Sequence, residues 1–196
     1  MGVIKFIISI DLQQHLNQYS QYLDLNSSKK ILSVIRFLLA EQVNHYRNNQ
    51  KDFDTKYKRC RPRPIKIEGR ENAFGEIQKP IEYEIKITDY IYDNIKKIKE
   101  KYSEETTTAV VTKLLHIALN EKFSGYVSSY ATNSRYVQAD TKQIKIHMSN
   151  VFSNRLQAIA EITGIKKNDL ISLIIGNYII ENYKEYTSDY DDMCKF

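Results

Sequence analysis

In the C-terminal third of the chain, Gln143, Lys145 and His147 alternate with Ile144, Ile146 and Met148. Successive side chains of a strand point to opposite faces, so the polar three share one face and the apolar three the other. Glutamine pairs with adenine and lysine donates to guanine, so such a face is equipped to read base edges in a DNA major groove. His147 is either a donor to a base or phosphate or an idle surface imidazole. Near the N-terminus Ile4, Phe6 and Ile8 alternate with Val3, Lys5, Ile7 and Ser9 in the same way. Lys5 and Ile7 are candidate base contacts, the apolar members of that face suiting thymine methyls. The alternative is a strand covered on both sides.

A second group of residues has the chemistry to hold phosphate. Ser27, Ser28, Lys29 and Lys30 stand at one expected helix start, and Lys166, Lys167 and Asn168 at another. Unpaired N–H groups and the positive dipole end make such starts anion sites, although paired lysines are also ordinary solvated surface. From Lys56 to Lys66 there are six basic residues and no acid. Within that run Arg59, Arg61 and Arg63 are candidate phosphate contacts, and Pro62 and Pro64 hold the backbone extended. An arm of this kind tracks phosphates or enters an AT-rich minor groove, or else is a solvated tether.

Catalytic chemistry has little footing. The four histidines, His15, His45, His116 and His147, are scattered, with no HExxH, nucleophile triad or phosphate loop around them. Cys60 and Cys194 belong to no ligand spacing, so free thiols, no metal, no cofactor and no enzymatic activity are expected. No apolar run reaches the roughly 18 residues of a membrane helix, and a cytoplasmic protein without membrane association is expected. The formal charge of +5 and pI near 9.0 suit a polyanionic partner without demanding one.

The elements that must position these residues recur. A short alternating strand, a Ser or Thr, an amphipathic helix, a polar break and a second apolar helix appear over 1–46, 81–122 and 142–183. Ser9, Thr88 and Ser149 close the strands, and Ser28, Thr107 and Asn168 open the second helices, each 19 residues later. Leu16, Ile95 and Leu156 then align, as do Tyr19, Ile98 and Ile159, and Ile35, Leu114 and Ile175. Ser, Thr and Asn cap helix N-termini, and Gly164 suits a left-handed helix end. The pattern resembles the ribbon-helix-helix superfamily of Arc- and MetJ-type repressors. The resemblance is clearest in Ile144 to Ser149, Leu156, Gly164 and Asp169-Leu170-Ile171. It implies a mainly α chain with short β-ribbons, built as three tandem ribbon-helix-helix units of one strand and two helices each.

On that expectation 47–80 is a basic, proline-containing linker, 123–141 a polar linker and 184–196 an acidic tail. The second unit departs from the family's basic character: Glu82, Glu84 and Lys86 face outward and Glu104-Glu105 precede its second helix. Carboxylates repel phosphate, so this unit is read as structural or oligomerising. The resemblance implies sequence-specific binding of double-stranded DNA, as an accessory factor for plasmid transfer beside a relaxase or another plasmid protein, or for partition. A transcriptional or copy-number repressor, and an oligomerisation module that never touches DNA, are the alternatives. Because a strand needs a partner and three is odd, a homo-oligomer of at least two chains is expected.

Overall fold

A computed structural model describes residues 1–23, 28–62, 65, 68–71, 75, 77–123 and 146–182 of the chain. Two seven-residue strands, β1 (Gly2–Ile8) and β4 (Ile81–Ile87), pair antiparallel into one ribbon. Strand β1 leads into α1 (Ile10–Tyr22) and α2 (Ser28–Asn48), and β4 leads into α4 (Asp89–Lys101) and α5 (Thr107–Phe123). Each element of the second set starts 79 residues after its counterpart in the first. Between the sets lie α3 (Gln50–Arg59) and a short hairpin of β2 (Arg70–Glu71) and β3 (Ile77–Gln78). Two further helices, α6 (Asn150–Thr163) and α7 (Lys167–Asn182), complete the described chain.

The expectation of three strand-helix-helix units is therefore corrected. The described residues are mainly helical, and among them the one substantial sheet, the β1–β4 ribbon, is shared by the first two segments. Ahead of α6, residues 146–149 form no strand, and residues 142–145 lie outside the described residues. The physical reason is that a strand satisfies its N–H and C=O groups only by pairing. β1 and β4 pair with each other, and the alternation of Ile144, Ile146 and Met148 cannot by itself supply a partner.

The helix starts follow local chemistry. Ser9 Oγ accepts from the Leu12 N–H at 3.2 Å, Thr88 Oγ1 from Ile91 at 3.5 Å, and Ser149 Oγ from Phe152 at 3.2 Å. All three residues read from the sequence as strand ends are thus N-caps. Gly164, at φ 70°, ends α6 in the left-handed conformation that glycine adopts without steric penalty. The second helices begin at Ser28, Thr107 and Lys167, the last one residue ahead of Asn168.

The core forms where the two strand-helix-helix segments interlock. Ile4, Phe6, Ile8, Ile85 and Ile87 project from the ribbon onto α1, α2, α4 and α5, where Leu12, Leu16, Leu38, Ile95 and Leu114 are fully buried. Burial of each such side chain contributes about 1.5–3 kcal/mol relative to exposure. Helix α3 occupies the beginning of the expected 47–80 linker. It adds Phe53 and Tyr57, which stack at 5.6 Å, and Tyr57 stacks on Tyr102 at 4.2 Å. The Tyr57 hydroxyl donates to Glu104 at 3.2 Å. Burial, with Glu104 alongside, pushes that phenol well above its ordinary range.

Helices α6 and α7 dock on this body by polar contacts as well as packing. Thr88 Oγ1 donates to the Ile162 carbonyl at 2.7 Å, and Ser33 Oγ donates to Asp169 at 3.1 Å. The buried Tyr19 hydroxyl donates to Asn177 Oδ1, whose amide nitrogen donates to the Leu173 carbonyl. A Cβ on Gly176 would lie 2.3 Å from Leu23 Cδ2, so the absence of a side chain there allows α7 its close approach. Among the described residues no helix is long and apolar enough to cross a membrane.

Candidate nucleic-acid interface

The outer face of the β1–β4 ribbon is assembled from both strands. Register sets Val3 opposite Lys86, Lys5 opposite Glu84, and Ile7 opposite Glu82. All six are exposed except Ile7, which is half-buried. Lys5 Nζ lies 3.1 Å from Glu84 Oε2, and this hydrogen bond, with the Glu84 and Glu82 charges, raises the lysine above its ordinary value. Two lysines and two glutamates leave the face without net charge. The candidate reader Lys5 and the acidic residues assigned to a separate structural unit thus form one surface. Their spatial meeting had no local signal, because alternation identifies a strand's faces but not its neighbour.

The ribbon is flanked by second helices. Thr108, in the first turn of α5, donates from Oγ1 to the Lys5 carbonyl at 3.4 Å, and Thr106 Oγ1 caps that helix by accepting from Ala109 at 3.1 Å. On the other edge Arg36 Nε of α2 donates to the Lys86 carbonyl at 2.8 Å. Anything lying on the ribbon's outer face would therefore meet the start of α5 beside β1.

The basic segment approaches one end of the same ribbon. Arg59, Cys60, Arg61 and Pro62 line a cleft of about 580 Å³ together with Ser9, which follows β1, and with His15 of α1 and His116 of α5. Arg59 and Arg61 are exposed. Lys56 in the same cleft is held by Asp52 and Glu121, each at 2.7 Å. Burial, then the neighbouring His15, depresses His116 below the ordinary imidazole value, while Asp11 pulls the other way. Cys60 is a half-buried free thiol whose pKa burial raises, which disfavours the reactive thiolate. The His15/His116 pairing across 101 residues of sequence and the docking of α3 were not anticipated from spacing.

The remaining candidates divide. Lys30 near the start of α2 and Lys166 ahead of α7 are exposed. Lys167 turns back onto α6 and donates to Ser153 Oγ at 2.6 Å, while Asn168 is exposed in the first turn of α7. His147 is exposed and lies in no strand. Ser27, Arg63, Gln143 and Lys145, the side chains of Ser28 and Lys29, Cys194 and the 184–196 tail lie outside the described residues. No protein-family model, curated protein or solved structure matches the chain.

Proposed function

We propose that this chain is a non-enzymatic, sequence-specific binder of double-stranded DNA that lays the β1–β4 ribbon in the major groove. The observation carrying this reading is the ribbon itself, whose inner face is sealed by helices while hydrogen-bonding side chains alternate along its outer face. A two-stranded ribbon fits the major groove. There Lys5 and Lys86 are donors for guanine, Glu82 and Glu84 acceptors for the cytosine amino group, and Val3 and Ile7 apolar surface for thymine methyls. Because the ribbon's charges cancel, attraction to phosphate falls to the flanks, with Arg59 and Arg61 at the end of β1 and the exposed Lys30 and Lys166 elsewhere.

Fluorescence anisotropy on labelled duplex across about 50–200 mM salt tests the reading, because displaced counterions make phosphate binding salt-steep. Binding at micromolar protein is expected, and Arg59→Ala with Arg61→Ala should flatten the log–log slope by about 2, close to 0.9 per phosphate contact. No binding at the lowest salt would overturn it. Selection from random duplex then separates an accessory protein of DNA transfer or partition from a repressor by the spacing and symmetry of the recovered sites. A second reading, an oligomerisation module that leaves DNA untouched, is favoured by the neutral ribbon and by the apolar surface on α6 and α7.

A further inference from the structure

The ribbon has an internal twofold pattern that its outer face does not keep. Strand β4 follows β1 at an interval of 79 residues, and the antiparallel register sets Lys5 opposite Glu84, its own counterpart at that interval. A pseudo-twofold axis therefore passes between these two side chains. On the inner face the counterparts Phe6 and Ile85, and Ile8 and Ile87, are all apolar and buried. On the outer face the counterparts differ in chemistry: Val3 corresponds to Glu82, Lys5 to Glu84 and Ile7 to Lys86. The surroundings differ as well. At one end Ser9 borders the cleft of Arg59 and Arg61, whereas at the other its counterpart Thr88 donates to the Ile162 carbonyl of α6. Arg36 of α2 holds the β4 edge through the Lys86 carbonyl, and its counterpart in α5 is the buried Leu115.

We infer, resting on the major-groove reading proposed above, that the DNA site of this ribbon is non-palindromic and is bound in one orientation by strands that a single chain supplies. A reader with true twofold symmetry imposes that symmetry on its target. Here the two strands ask for different bases at equivalent places. Val3 suits a thymine methyl where Glu82 accepts from a cytosine amino group, and Ile7 suits thymine where Lys86 donates to guanine. On the axis, Lys5 and Glu84, 3.1 Å apart, set a donor beside an acceptor. A G·C pair offers the complement, guanine acceptors beside the cytosine amino donor, and offers it in one sense only. A central G·C pair is thus read with its guanine toward β1. Arg59 and Arg61 lie at the Ile7 and Glu82 end, where phosphate contacts lengthen the footprint on one side without specifying bases.

Selection of bound sequences from random duplex by the full chain is the test. A site without dyad symmetry is expected, with a preferred G·C pair at its centre. Inverting that pair to C·G in the selected site should weaken binding about tenfold, as one mismatched base pair does. Lys5, Glu82, Glu84 and Lys86 are all exposed, so exchanging them keeps the fold. The exchange Lys5→Glu with Glu84→Lys retains the ion pair and should reverse the central preference. The triple variant Glu82→Val, Glu84→Lys and Lys86→Ile gives both strands the same outer residues, and with circular dichroism retained its selected site should be palindromic. A palindromic site for the wild-type chain overturns the inference and leaves DNA reading intact. So does a folded charge exchange that keeps the original central preference, or a folded triple variant whose site stays asymmetric. Enrichment of no sequence overturns the major-groove reading itself, and the inference with it.

Discussion

Leu114 at the middle of α5 is fully buried, while Ile175, at the corresponding position of α7, is 45% exposed. Residue type and helical spacing are nearly the same at the two sites. The difference is that α5 has α2 across from it, whereas α7 touches the body along its opposite side, through Leu170, Leu173 and Asn177. An apolar stripe therefore specifies a need for cover without specifying its source. The sharpest way to break the comparison is to truncate both sites. Leu114→Ala should cost about 2–5 kcal/mol through lost burial and a residual cavity. Ile175→Ala should stay within about 0.5 kcal/mol, as surface substitutions do. Urea denaturation measures both, and equal losses would mean that Ile175 is covered as Leu114 is.

The attachment of α6 and α7 to the body offers a smaller effect. Tyr19→Phe removes the hydroxyl that donates to Asn177 and leaves a buried acceptor short of a partner, a loss of about 1–3 kcal/mol. Hydrogen exchange should place the loosening in α7 before α5. Among the caps, Ser9→Ala and Ser149→Ala should each cost about 1 kcal/mol. Thr88→Ala should exceed both, because its hydroxyl caps α4 and also donates to the Ile162 carbonyl of α6. Equal losses at Thr88 and Ser149 in thermal melts would show that the bond to α6 adds nothing.

These sites also mark how far the amino-acid sequence was legible. Ser9, Thr88 and Ser149 were found because capping is local chemistry written in one side chain, and Gly164 because a left-handed helix end favours one residue type. The same register placed the helix starts at Ser28 and Thr107 and came within one residue at Lys167. Strand pairing was less legible: Ile4, Phe6 and Ile8 define an inner face equally well whether the neighbour is β4 or another molecule. That is why three units were expected where the described residues form one shared ribbon, and why Lys5 and Glu84 were assigned different roles despite facing each other. Helix α3 was hidden because Phe53 and Tyr57 are its only large apolar side chains amid charge. Their burial depends on Tyr46 and Tyr102, which belong to two other parts of the chain.

The most delicate contrast uses one register position occupied by Phe37, His116 and Asn177 in the three segments. Phe37 and Asn177 have no charge to gain near neutral pH, whereas His116 does. Burial holds its folded-state pKa below the ordinary 6.5, so the unfolded chain binds the proton more readily. Stability from the neutral ring is complete above about pH 6.5 and declines as pH falls through that value toward the depressed one. Asp52 and Asp54, held low chiefly by hydrogen bonds from Lys56 and Lys101, contribute their own acid losses only further down, in the carboxylate range. Between about pH 7 and 5.5 the urea midpoint should therefore drop more for the native chain than for His116→Gln. Hydrogen exchange at the lower pH should speed up around the cleft between α1 and α5, leaving the Tyr19 to Asn177 contact of α7 protected. An equal drop in the variant would assign the acid sensitivity to another group, and faster exchange in α7 first would show that the third segment responds independently of this histidine.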